Sequence, residues 1–234
     1  MGLPPGQKWI TGFPRFGKSM TGPAPAVPEH PVIEIRGVGL APFNVPVTDL
    51  LRSNRRQVVS DFHCVAGWSS ASLRWEGVPF NTVYRERVAP RLAPGTVVTH
   101  LVFRGLDGWR SVLTIEDAMS ETVLLADRLN GEELGGDHGA PARVVSPNQY
   151  GFVSTKHLDQ IELHGSEPNL PRPSLLDVLF MPHPRASVWR EERHRYLPRW
   201  LVRPFFRSLK RPLLLLSARA NGPAASATGG SHHR

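Results

Sequence analysis

An α+β domain built from mixed β-sheets and short helices is what this chain of 234 residues predicts, and three observations carry that reading. Runs of β-forming residues recur at 57–63, 72–78, 97–103, 110–114, 122–129, 142–145 and 158–163, all of strand length and none long enough for a core helix. The signals between them are local. Asn130-Gly131 between Leu129 and Glu132 asks for a tight hairpin, since both turn positions take positive φ. Thr114-Ile115-Glu116-Asp117 has the form of a capped start to a short helix. No Gly-rich dinucleotide or phosphate loop appears, which argues against a doubly wound parallel sheet.

The elements follow in order. Residues 1–31 carry Pro4, Pro5, Pro14, Pro23, Pro25, Pro28 and Pro31 with frequent Gly, and read as an extended arm laid over a surface. Val32–Arg36 reads as a strand, and Thr48 as the N-cap of a short helix running through Arg52. The main domain occupies 32–173. A basic helical extension occupies 174–220, where Arg195, Arg199, Arg203, Arg207 and Arg211 repeat every four residues. Trp200, Leu201, Phe205, Phe206 and Leu209 supply its apolar side, and Pro198, Pro204 and Pro212 are expected to divide it into two or three helices. Residues 221–234, rich in Gly, Ala and Ser, read as a disordered tail.

Composition narrows the function. Hydrophobic residues at 40% and charged residues at 21% describe a globular, soluble chain, and no run reaches the ~18 apolar residues of a membrane span. The opening residues show no apolar export core and no twin arginine, so a cytoplasmic location is expected. The formal charge is +8, yet residues 185–212 alone hold nine Lys/Arg against two Glu, leaving the rest nearly neutral. A nucleic-acid-binding domain carries its basic patch on the fold itself, so no nucleic acid is expected as partner. The basic segment 185–212 instead suggests a peripheral membrane or protein contact.

The candidate chemistry centres on the sole cysteine, Cys64, in Asp61-Phe62-His63-Cys64-Val65-Ala66-Gly67-Trp68-Ser69. One cysteine forms no internal disulfide and builds no zinc or iron–sulfur site by itself. It can give one soft thiolate to a metal whose other ligands come from an organic cofactor. Beside Phe62, Val65 and Trp68 it equally describes a buried core thiol.

Four ordered blocks favour the first reading. With the Cys64 block go Phe103-Arg104-Gly105-Leu106-Asp107-Gly108, Asp137-His138-Gly139-Ala140-Pro141-Ala142-Arg143 and Tyr150-Gly151-Phe152-Val153-Ser154-Thr155-Lys156. Across roughly residues 30–164 the chain resembles the molybdopterin-binding domain of the sulfite oxidase superfamily. The resemblance implies the sulfite-oxidase-type fold and a molybdenum–molybdopterin cofactor, with Cys64 as metal ligand. It also implies cofactor contacts from His63, Asp107, His138, Arg143, Ser154, Thr155 and Lys156. The chemistry suits such a ligand: guanidinium and ammonium groups bind a dianionic phosphate, and a carboxylate accepts pterin N–H bonds.

Two further positions enter as catalytic candidates. Trp109 stands where sulfite oxidases place a metal-facing tyrosine, and Arg110 follows it. Val153 replaces a cation common in the family's phosphate loop. The chain resembles the Mo domain alone, without the immunoglobulin-like dimerisation domain, a C-x-x-C-H haem motif or a flavin fingerprint. The expected activity is oxygen-atom transfer coupled to two-electron redox on a small sulfur or nitrogen oxide, with electrons exchanged through an external carrier. A cationic entrance containing Arg110 would favour an oxyanion such as sulfite, and a neutral aromatic one containing Trp109 would favour a sulfoxide. The alternative is a non-catalytic basic protein whose C-terminal arginines bind a membrane surface, nucleic acid or a protein.

Overall fold

The computed structural model describes residues 2–16, 22–52, 54–169 and 182–220. Ten strands form two five-stranded sheets. The first has the order β2 (Leu40–Pro46), β1 (Val32–Gly37), β10 (Leu158–His164), β5 (His100–Gly105) and β6 (Arg110–Thr114). It is mixed, because β1 and β10 run parallel while every other pair is antiparallel. The second places β3 (Arg56–His63), β4 (Ser69–Pro79) and β7 (Leu124–Leu129) side by side, with β8 (Glu132–Glu133) and β9 (Arg143–Val145) both on the far edge of β7.

Strand alternation builds the core between the sheets. Ile33, Ile35, Leu101, Phe103, Ile161 and Leu163 from the first sheet meet Val78, Leu125 and Val144 from the second. On the second sheet's opposite face the neighbouring residues Leu124, Ala126 and Val145 pack with Leu73 and Trp75. That second face carries the site.

Several local expectations hold. Asn130 and Gly131 take φ of +55° and +91° in a two-residue turn that pairs Leu129 with Glu132. Thr114 Oγ1 accepts from the Asp117 N–H at 3.1 Å and starts the short helix α3 (Ile115–Ala118). Strand β2 escapes the sequence reading because Pro42 and Pro46 interrupt its pattern; both are tolerated on the edge strand of the sheet. Helix α1 (Val47–Leu50) starts after Pro46 with no side-chain cap, one residue before the expected cap Thr48, and starting there buries Val47 and Leu50 on one side. Helix α2 (Phe80–Val83) continues through a wider turn at Tyr84–Val88 and a tighter one at Ala89–Arg91.

The C-terminal extension corrects the reading more substantially. One continuous helix, α4 (Arg199–Ala220), contains both Pro204 and Pro212. The prolines sit at exposed positions, and the carbonyls they leave unpaired, on Trp200 and Ser208, belong to exposed residues where water can serve them. The helix packs through Val202 and Phe206, whereas Trp200, Leu201 and Phe205 remain exposed. Residues 174–181 and 221–234 lie outside the described residues. Among the described residues no helix is long and apolar enough to cross a membrane.

Candidate active site

Cys64 sits in the turn joining β3 to β4. Its N–H donates to the Trp68 carbonyl at 2.8 Å, and its carbonyl accepts from the Gly67 N–H at 2.9 Å. Gly67 has φ of +87°, a conformation that a side chain would strain. Cys64, Ala66 and Trp68 form a small buried cluster against Ile10, Phe13, Phe16 and Phe62. Burial pushes the Cys64 thiol up to about 12, so the free protein holds it protonated. Coordination to a metal cation would remove that proton.

The N-terminal arm does lie over the surface, and it covers this turn. The Lys8 N–H donates to the Gly67 carbonyl, and the Ile10 N–H and Lys8 carbonyl pair with Ser69. Phe13, Pro14 and Phe16 then wall a cavity of about 340 Å³ with Phe62, Trp109 and Phe152. Cys64, Asp107, Arg143, Ser154 and Lys156 line the same cavity. Five of the candidate residues, drawn from all four sequence blocks, therefore meet in one place.

One end of the cavity is cationic. Arg143 leaves β9 on the face that carries Trp75, and its guanidinium lies 4.9 Å from the centre of that ring. It is 1% exposed and donates only to carbonyls, those of His138 (3.0 Å), Ser154 (3.1 Å) and Val144 (3.4 Å). Burial lowers its pKa to about 9. Lys156 donates from Nζ to the Asp137 carbonyl at 2.6 Å. Burial, with repulsion from Arg143 and Arg15, brings its pKa down to about 7. Arg15, from the arm, pairs with Asp137 at 3.1 Å. Among the described residues neither Arg143 nor Lys156 has a carboxylate within ion-pair distance, so an anion in this place would relieve the cost of burying both cations. Ser154 Oγ accepts the Ser146 N–H at 3.2 Å and keeps its own proton to donate.

The remaining sequence candidates lie around the cavity rather than in its lining. Thr155 is buried with its hydroxyl 2.7 Å from Ser111 Oγ. His63 is buried and bonded through Nδ1 to Ser69 Oγ at 2.7 Å, and burial lowers its pKa. His138 stacks on Phe13 at 5.0 Å, and its Nδ1 is buried without a hydrogen-bond partner among the described residues. Burial, then Lys156 and Arg143, lowers its pKa to about 4, so the ring is neutral at ordinary pH.

Trp109 stands at the cavity mouth. Its indole N–H donates to the Phe152 carbonyl at 2.9 Å, and Asp107 Oδ1 accepts its main-chain N–H at 2.9 Å. Arg110 is not brought to the cavity. On β6 it faces opposite to Ser111, whose hydroxyl reaches the Val153 carbonyl, and it pairs instead with Glu162 at 2.7 Å. Glu162 is shared with Arg36 at 2.9 Å, and Arg36 in turn lies 4.0 Å from Glu34.

Sequence reasoning missed the arm's contribution. Phe13 and Phe16 are apolar residues within a turn-forming stretch, the one local sign that this stretch covers something. Gln7 and Arg193, which also touch the Cys64 turn, carry no such sign.

Two packed sheets that aim a lone buried thiol and two cations without an ion-pair partner among the described residues into one cavity define a holder of an anionic, thiolate-accepting cofactor. The family model described as oxidoreductase molybdopterin binding domain matches residues 21–170, and the chain belongs to that family. It is a molybdopterin-binding oxidoreductase whose family cofactor is molybdenum–molybdopterin. The chain is 32% identical over 162 residues to the uncharacterized oxidoreductase YuiH of Bacillus subtilis, covering 68% of this chain and 78% of that protein. It is 31% identical over 178 residues to the protein-methionine-sulfoxide reductase catalytic subunit MsrP of Gluconobacter oxydans, covering 67% of this chain and 55% of that one. With the sulfite oxidase of Arabidopsis thaliana it shares 31% over 145 residues, 55% of this chain and 37% of that one. The chain thus spans about half the length of the MsrP relative. Among solved structures, the sulfane dehydrogenase SoxCD of Paracoccus pantotrophus aligns with a TM-score of 0.53 and 22% identity, over 61% of this chain and 40% of that one, and shares the fold.

The residues present fit the family's cofactor. A lone thiol lines the cavity, and among the described residues the buried Arg143 and the half-buried Lys156 have no carboxylate within ion-pair distance and the buried His138 Nδ1 has no hydrogen-bond partner. Cys64 would supply the metal's protein ligand. Arg143, Lys156 and the Ser154 hydroxyl would hold the phosphate end, and Asp107 would accept N–H bonds from the heterocycle.

Proposed function

We propose that this protein reduces a neutral sulfoxide, R₂SO + 2 e⁻ + 2 H⁺ → R₂S + H₂O, with electrons delivered by an external carrier. The observation that carries the reading is the make-up of the cavity wall. Phe13, Phe16, Phe62, Trp109 and Phe152 line it, while Arg110, the cation that would receive an oxyanion, is turned away onto Glu162.

When bound, the cofactor would supply the two-electron redox centre for oxygen-atom transfer. The protein's residues do the rest. The aromatic wall accepts the apolar substituents of a sulfoxide and excludes water. Trp109 shapes the entrance as a fixed plane, because its N–H is already committed to the Phe152 carbonyl and is not left for a substrate oxygen. Arg143 and Lys156 line the cavity with their charge held against the carbonyls of His138, Ser154 and Asp137, which suits an anchored anion better than a passing substrate. The similarity to a methionine-sulfoxide reductase subunit supports the same substrate class.

The test compares two reactions on the molybdenum-loaded protein. With a reduced viologen dye as donor, methyl phenyl sulfoxide and methionine sulfoxide should be turned over. The aryl sulfoxide should exceed dimethyl sulfoxide by at least about tenfold in kcat/KM, as expected for filling one apolar pocket. Oxidation of sulfite with ferricyanide at a higher kcat/KM than any sulfoxide would overturn the reading.

A further inference from the structure

Segments on both sides of the stretch 21–170 that the family model matches close on the Cys64 turn. From the arm, the buried Gln7 donates its side-chain N–H to the Cys64 carbonyl at 3.1 Å. Its amide oxygen accepts from the Ser69 hydroxyl at 3.2 Å. Ser69 has one proton, so His63 Nδ1 is the donor to Ser69 across their 2.7 Å contact. The orientation of the Gln7 amide is thereby set by two further buried groups.

From the C-terminal extension, Arg193 is 3% exposed and reaches back across the fold. Its guanidinium lies 5.0 Å from the centre of the Tyr150 ring and donates to the Val65 carbonyl and, at 3.4 Å, to the Gly6 carbonyl. Of the acidic residues just before it, Glu191 is occupied by Arg203, and Glu192 accepts the Ser187 N–H and lies beside His183. The Arg193 charge is thus left facing the turn. With Lys8 on the Gly67 carbonyl, three of the turn's carbonyls, on Cys64, Val65 and Gly67, are each held by a residue from a chain end.

We infer that Gln7 and Arg193 are positioning residues for Cys64: they clamp the peptides on either side of it and so set the direction in which its sulfur enters the cavity. The inference rests on Cys64 being the metal ligand. A peptide whose carbonyl is bonded cannot rotate without breaking that bond, so the turn keeps one arrangement. Residues that orient a ligand in this way commonly matter to metal binding by about tenfold or more without touching the metal. The guanidinium also places a positive charge beside a turn that would carry a thiolate next to an anionic cofactor.

The test uses the full chain produced with cofactor, in the variants Gln7→Ala, Arg193→Lys and Cys64→Ser. Three readouts are taken: molybdenum per chain, the visible thiolate-to-metal charge-transfer absorption, and far-ultraviolet circular dichroism. Cys64→Ser should abolish the absorption band. Gln7→Ala and Arg193→Lys should shift the band and weaken metal retention by about tenfold, with unchanged dichroism. A purely structural tie would lower the melting temperature and leave the band in place. Wild-type band position and metal content in both Gln7→Ala and Arg193→Lys overturns the inference. A band that survives Cys64→Ser overturns the ligand assignment and the inference with it. Should Arg193→Lys fail to fold, Gln7→Ala decides alone, since it removes one neutral amide and leaves the main-chain pairing of Lys8 and Ile10 intact.

Discussion

The N–H of Gly151 donates to the carbonyl of His63 at 2.7 Å, joining the loop that carries Ser154 and Lys156 to the residue before Cys64. The contact needs a glycine, because a Cβ at position 151 would stand 2.0 Å from Phe62 Cζ. Gly151→Ala should therefore push Phe62 off the cavity wall and destabilise the fold by about 1–3 kcal/mol, the usual cost of overpacking. Thermal denaturation and molybdenum content measure the two effects; an unchanged melting temperature would mean that the loop gives way freely.

Arg143 and Lys156 should govern how firmly the cofactor stays. Charge-assisted hydrogen bonds are worth roughly 1.5–3 kcal/mol each, so losing one weakens retention about ten- to a hundredfold. Arg143→Ala and Lys156→Ala, purified through gel filtration, should carry substoichiometric molybdenum. Full occupancy in both would remove them from the phosphate end of the site.

Lys156 also makes the cofactor-free protein sensitive to pH. Its folded pKa is pulled down to about 7, chiefly by burial, while an unfolded chain keeps a lysine protonated to about 10.4. Between those values the unfolded state binds the extra proton, so stability rises with pH across the window; below it both states are protonated and the cost of the buried ammonium is constant. The melting temperature of cofactor-free protein should climb from about pH 7 to about pH 9, and Lys156→Met should flatten the climb. Equal slopes in the two proteins would contradict the depressed pKa.

The segment before α4 should not be removable. Ala186 and Val188 are fully buried, Ser187 bridges to Gln149, and the Tyr150 N–H donates to the Ala186 carbonyl at 3.0 Å. Of the roles open to the C-terminal extension, completing the core is the one these contacts describe. Deleting residues 185–234 should expose apolar surface and give insoluble protein. A soluble truncated chain that still loads molybdenum would show that the segment only rests on the domain.

Most of the strands, though not β2, the Asn130-Gly131 hairpin and the Thr114 cap were legible in the sequence, because each depends on alternation or on turn stereochemistry. The cavity residues Cys64, Asp107, Trp109, Arg143, Ser154 and Lys156 were legible through the resemblance of four short blocks to a known family. What no local pattern could decide was which way side chains turn once the sheets are packed, and what the chain ends reach. Arg110 and Ser111 are adjacent, yet strand alternation on β6 sends one to Glu162, away from the cavity, and the other to Val153 beside the site. The aromatic wall required the arm to cross the β3–β4 turn. The clamp on Cys64 joins Arg193 to Val65 over 128 residues. The prolines of α4, breakers by local rule, remain in one helix because they fall on its exposed side. Contacts over such separations exist only after the sheets have closed, so the residue types were in the sequence and their partners came from the tertiary structure.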